Sequence, residues 1–143
     1  MLRVFEKNRW LSIIITLVIA LVIFILSDIS NLSSKGSFLM SVLYHIVIFF
    51  LFCLFLFISI KGKKKVSVLQ IFLVLIISIV YALFDEVHQS YVIGRSGNFF
   101  DVLYNTIGIF FAVFLFSLRK TGKYEKIEEK AYEEDVKSNV NGE

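Results

Sequence analysis

Four long apolar runs constrain this chain more than any other feature. They are Trp10–Leu26 (17 residues), Leu39–Ile60 (22), Val66–Phe84 (19) and Phe99–Leu118 (20). Crossing the hydrocarbon of a bilayer takes about 20 predominantly apolar residues, with a range of about 17–25. All four qualify, and together they hold more than half of the 143 residues. A water-soluble core of this size has no use for four such segments, because too little polar sequence remains to cover them. Composition agrees: 57% of the residues are hydrophobic and 19% charged, against about 45–50% and about 25% in soluble domains. The mean hydropathy is +0.79. Disorder, collagen-like repeats and a disulfide scaffold are excluded, the last because Cys53 is the only cysteine.

Ile and Val are frequent, which in water would suggest strands. A membrane barrel, however, alternates apolar and polar residues over segments of about ten. Ile46–Ile58 shows no alternation. In lipid a helix satisfies all its own backbone groups, so the fold class is an all-α membrane protein, a bundle of four transmembrane helices. The first run follows Arg3, Lys7 and Arg9, as in a signal peptide. It exceeds the 7–15 residues of a signal h-region, and no small-residue cleavage site follows, so it is read as a retained span.

Positive charges orient the spans. Arg3, Lys7 and Arg9 precede the first span. Lys61, Lys63, Lys64 and Lys65 join the second to the third, and six Lys or Arg follow the fourth. The other two connections hold only Lys35 and Arg95. Excess Lys and Arg mark the cytoplasmic side, which places both termini in the cytoplasm of a cell (plasma) membrane protein. Residues 1–118 form one membrane domain. Residues 119–143 mix acids with lysines and read as a solvated, charged cytoplasmic tail.

The informative polar residues lie towards the other face. The segment YALFDEVHQSYVIGRSGNFFDVLYNTIG places Asp85, Glu86, His88, Gln89, Arg95, Asp101 and Asn105 within 21 positions. Ionisable groups at membrane depth are expensive and face the protein interior or one another. If the third helix runs past Phe84, Asp85 is three residues from His88 and four from Gln89. In the fourth, Asp101, Asn105 and Gly108 follow as i, i+4 and i+7, a single stripe. Gly108 suits close approach of a second helix, and Gly94 and Gly97 suit a tight turn around Arg95. His45, about two turns into the second span, lies at a similar depth. The expectation is one outer-leaflet pocket lined by His45, Asp85, Glu86, His88, Arg95, Asp101 and Asn105.

These residues also carry a resemblance. DEVHQSYVIGRSGNFFDVLYNTIG is similar to the signature of the VanZ-like family of small four-span membrane proteins. Asp85, Glu86, His88, Gln89, Gly94, Arg95, Asp101, Asn105 and Gly108 match it in order and spacing. The polar pair Ser27–Asp28 after the first span and His45 in the second also resemble the family, so the likeness extends from about Trp10 to Leu118. Ile93 stands where many members carry Pro, and the chain contains no Pro. The resemblance implies an envelope role associated with resistance to teicoplanin, a lipid-tailed glycopeptide.

Three readings follow. In the first, the pocket binds or modifies a lipid or cell-wall headgroup. Glu86, His88 and Asp101 form the candidate acid/base set, and Arg95, Gln89, Asn105, His45 and Asp85 bind the ligand. Its partners would be membrane lipid and a lipid-linked envelope precursor or a glycopeptide. In the second, the same cluster only staples the helices together. The third is transport of a small solute or a proton. Two histidines and three carboxylates could ligate a divalent ion, but their spacing matches no standard motif and no metal is assigned. No cofactor motif is recognised, and whether the chain is an enzyme stays open. No phosphate-cradling glycine loop or nucleophile elbow occurs, and nucleic-acid binding has no support.

Overall fold

The computed structural model describes residues 5, 8–28, 38–62, 66–94 and 97–117. Among these residues the only regular elements are helices. The four long ones are α1 (Arg9–Asp28), α2 (Phe38–Lys61), α3 (Val68–Tyr91) and α4 (Phe99–Ser117). Each is long and apolar enough to cross a bilayer, so the chain is a multi-pass membrane protein. The expected tail, the KGKKK lysines after Gly62, and Arg95 lie outside the described residues.

Local signals set the helix ends. Ser67 and Gln70 form a reciprocal capping box that starts α3. The Gln70 amide donates to Ser67 Oγ at 3.2 Å, and the Ser67 amide donates to Gln70 Oε1 at 3.0 Å. α2 closes on Gly62, whose φ of +53° lies in the left-handed region and whose amide donates to Ile58 O at 2.9 Å. α3 does not stop with its apolar run at Phe84. It continues through Asp85–Tyr91 and ends at Val92, before Gly94 at φ +83°. The polar segment is therefore helical, the condition that the i+3 and i+4 spacings required.

α2 is the most enclosed helix. Phe49, Phe52, Cys53, Phe57 and Ile58 are all buried, and every other helix touches this one. Thr16 Oγ1 of α1 lies 3.2 Å from Ser59 Oγ. Phe52 stacks on Tyr81 of α3 at 4.9 Å, and Tyr81 in turn donates to Ala20 O of α1 at 2.7 Å. Cys53 Sγ donates to Ile109 O of α4 at 3.7 Å. Gly108 fixes the closest crossing. A Cβ there would collide with Ile46 O and lie 3.0 Å from Phe50 N, so only glycine lets α4 lie on α2.

The outward faces are apolar. Leu17, Leu21 and Ile25 of α1 and Phe72, Ile76, Val80 and Val87 of α3 are exposed. In water such a surface would far exceed the few hundred square ångströms of apolar patch that soluble proteins tolerate. In lipid it is the solvated surface.

At the α1 start, Arg9 Nε donates to Ser59 O at 2.9 Å. This places a cation on the carbonyls that end α2, where the helix dipole favours it. Ser12 Oγ donates to Phe5 O at 2.9 Å, and the Phe5 ring meets Phe55 edge-on at 5.3 Å. This end carries hydroxyls and a guanidinium. The acids and histidines gather at the opposite end.

Candidate functional site

The α1 and α3 C-terminal turns and the α2 and α4 N-terminal turns meet at that opposite end. Their polar side chains fall into neighbouring groups.

The first group joins α1 to α3. Ser27 Oγ donates to Asp85 Oδ1 in a short contact. Gln89 Nε2 donates to Asp85 Oδ2 at 2.8 Å and to Ser27 Oγ at 3.3 Å. All three residues are buried. A carboxylate sunk among helices is costly unless hydrogen-bonded, and here both oxygens are bonded. Gln89 reaches Asp85 because four helical residues bring the two onto one face. His88, three residues from Asp85, turns instead to α1. Its ring stacks on Phe24 at 4.5 Å, and Nε2 lies 4.0 Å from Asp28 Oδ1.

The second group joins α2 to α4. His45 Nδ1 lies 3.0 Å from Asn105 Oδ1, and His45 Nε2 lies 3.7 Å from Asp101 Oδ2. His45 and Asn105 are fully enclosed, whereas the Asp101 side chain keeps 18% of its exposure. The stripe Asp101–Asn105–Gly108 therefore faces α2 along its whole length. The two polar members hold the imidazole, and the glycine admits the Ile46 backbone.

Glu86 links α3 to the start of α4, where the Asn98 amide donates to its Oε1 in a short contact. Asn98 also caps α4. Its Oδ1 accepts from Phe100 N at 3.2 Å, its carbonyl accepts from Asp101 N at 2.8 Å, and its Nδ2 lies 3.5 Å from Asp101 Oδ1. Gly97 has no room for a side chain without crowding: a Cβ would stand 3.1 Å from Ser90 Cβ and 3.4 Å from Glu86 Oε1. Asp101 thus lies in the first turn of α4, where the dipole favours an anion, within ion-pair reach of a buried imidazole.

Of the residues expected to converge, His45, Asp85, Glu86, His88, Asp101 and Asn105 are at one end of the bundle. Among them, Asp101 and Asn105 stand against His45 and not against His88 or Glu86. Arg95 falls outside the described residues. Ser27 and Asn98 enter the polar groups as partners that the candidate set did not contain. Ser27 was visible as a polar residue closing an apolar run. Asn98 was visible as a capping residue three positions before Asp101. Among the described residues, no group of three or more His, Cys, Asp or Glu side chains is arranged to hold a metal ion.

Fold and polar end together define a small four-span membrane protein with an ionisable cluster at one membrane face. The family model for VanZ/LLP1 matches residues 4–120, and the chain belongs to that family. Antibiotic resistance is the family's general association. No curated protein and no solved structure matches the chain.

Proposed function

We propose that the polar end faces the cell exterior, with both termini in the cytoplasm, and binds or modifies the headgroup of a lipid or a lipid-linked cell-wall precursor. The resistance associated with the family follows from this contact with envelope chemistry. One observation carries the reading. All four helices bring ionisable or amide side chains to the same end, Glu86, His88 and Asp101 among them. The lysine distribution supports the orientation, and the single cation of that connection, Arg95, supplies an anion-binding guanidinium by sequence. Glu86, His88 and Asp101 are the acid/base set. Arg95, His45 and Asn105 hold or orient the ligand, while Asp85 and Gln89 brace the helices that carry it.

The bracing assignment favours the structural reading for one part of the cluster only. Asp85, Gln89 and Ser27 satisfy one another. Glu86→Gln, His88→Ala, Arg95→Ala and Asp101→Asn are expected to abolish protection in a teicoplanin-susceptibility assay while membrane protein levels stay normal. Wild-type protection in all four, or loss of folded protein in all four, would overturn the headgroup reading.

A further inference from the structure

The charges of the described residues are divided between the two ends of the bundle. Asp28, Asp85, Glu86 and Asp101 are the described acids, and all four lie at the polar end. Arg9 and Lys61 are the described basic residues other than histidine, and both lie at the opposite end. Ahead of α1 and between α2 and α3 the sequence adds Arg3, Lys7, Lys63, Lys64 and Lys65 against one acid, Glu6. Excess basic charge orients spans, but orientation does not require that any one cation be held in place.

Arg9 is held in place. Its Nε donates to Ser59 O at 2.9 Å. Its Cδ lies 3.6 Å from where a Cβ on Gly62 would stand, and Gly62 has the left-handed φ of +53°. The arginine stem therefore rests on the backbone turn that closes α2, while the residue stays exposed. Nε is one guanidinium donor, and both Nη groups remain for another acceptor. At this end the described residues offer them no carboxylate, and the α2 carbonyls carry only a partial negative charge.

Trp10 is the next residue, the only tryptophan of the chain, and 75% exposed. Tryptophan at the end of a span sits at headgroup level, and Arg9 sits there with it. The anion common to phospholipids at that level is a phosphodiester, whose paired oxygens match the paired Nη groups of a guanidinium.

We propose that Arg9, braced by Ser59 and Gly62 beside Trp10, holds the phosphate of an anionic phospholipid such as phosphatidylglycerol. The neighbouring lysines select an anionic headgroup over a zwitterionic one, whose terminal ammonium they repel. Each basic residue near a membrane surface contributes about a fivefold preference for anionic lipid. This site lies at the opposite end from the acids and histidines, and neither depends on the other.

Trp10 serves as the reporter in the test. The full chain is reconstituted in phosphatidylcholine vesicles that contain a small fraction of lipid brominated on its acyl chains, either phosphatidylglycerol or phosphatidylcholine. Bromine quenches the fluorescence of a tryptophan it touches. Brominated phosphatidylglycerol should be favoured next to Trp10 by at least about fivefold, and Arg9→Gln should lose most of that preference. Equal quenching by the two lipids in the wild type would overturn the proposal. A preference unchanged in folded Arg9→Gln would also overturn it, because diffuse lysine charge would then suffice. Millimolar inorganic phosphate at constant ionic strength should leave the preference intact, and its loss would assign the fork to a soluble anion instead of a lipid. If Arg9→Gln does not fold, Lys63→Gln, Lys64→Gln and Lys65→Gln combined decide the matter. A preference that survives there supports the Arg9 seat, and one that vanishes overturns it.

Discussion

Asp85 shows how far a residue's role depends on what meets it. Its spacing from His88 and Gln89 was plain in the sequence, and helical geometry brings both neighbours near. Only Gln89 bonds to it, while His88 lies flat on Phe24 and faces Asp28. Asp85 receives two donors, Ser27 and Gln89, in a site with almost no exposure. Truncation removes from a buried site the acceptor that both donors share, a loss of about 1–3 kcal/mol. Asp85→Ala is therefore expected to lower unfolding stability in mixed micelles by about that amount. Asp85→Asn, which keeps one acceptor oxygen, should lose less. Equal stability of Asp85→Ala and wild type would remove Asp85 from the bracing role. The contacts of His45 with Asp101 and Asn105 were not readable from sequence for the same reason: spacing along α4 placed Asp101 and Asn105 on one face but did not say which histidine that face would meet.

At the level of the helices, two devices position the polar end. The first is the contact of α4 with α2 at Gly108, where a Cβ would collide with backbone. Backbone cannot swing aside as a side chain can, so even Gly108→Ala forces the helices apart. Overpacking of this kind costs about 1–3 kcal/mol, and the displacement would also separate His45 from Asn105. Reduced thermal stability in detergent is expected for Gly108→Ala, with a changed nitrogen-15 spectrum of the His45 ring. An unaltered spectrum would mean that the crossing is not what sets the imidazole. The second device is the Asn98 cap. Loss of an N-cap side chain costs about 0.5–2 kcal/mol. Asn98→Ala should fall in that range by denaturant titration, whereas Asn98→Asp should retain most of the cap. The stripe ending in Gly108 and the turn glycines were evident in the sequence. The extension of α3 through Asp85–Tyr91 was only a condition there, because its apolar run ends at Phe84 and the polar helical turns after it depend on partners from α1 and α4 for their burial.

For the whole molecule, the bilayer is the dominant partner. The exposed apolar faces of α1 and α3 have lipid as their solvent. Exchanging one apolar residue there for another of similar volume, as in Leu21→Ile or Ile76→Leu, is expected to change stability by less than about 1.5 kcal/mol. Orientation rests on the lysine asymmetry and is directly measurable. Reporter fusions after Lys63 and Glu125 should signal from the cytoplasm and one after Val92 from the exterior. An exterior signal at Lys63 or Glu125 would invert the map and move the polar end to the cytoplasmic face.

The sequence by itself determined that four helices cross a membrane and that costly polar groups collect towards one end. Both follow from local physics: backbone groups in lipid need partners within their own segment, and side-chain direction repeats with the helical period. The tertiary structure decided which acid meets which imidazole, that Ser27 and Gln89 share Asp85, and that Asn98 ties Glu86 to the start of α4. Those pairings depend on how each helix is rotated about its axis and which neighbour it touches. Contacts between residues some sixty positions apart set that rotation, and no periodicity within one span encodes it.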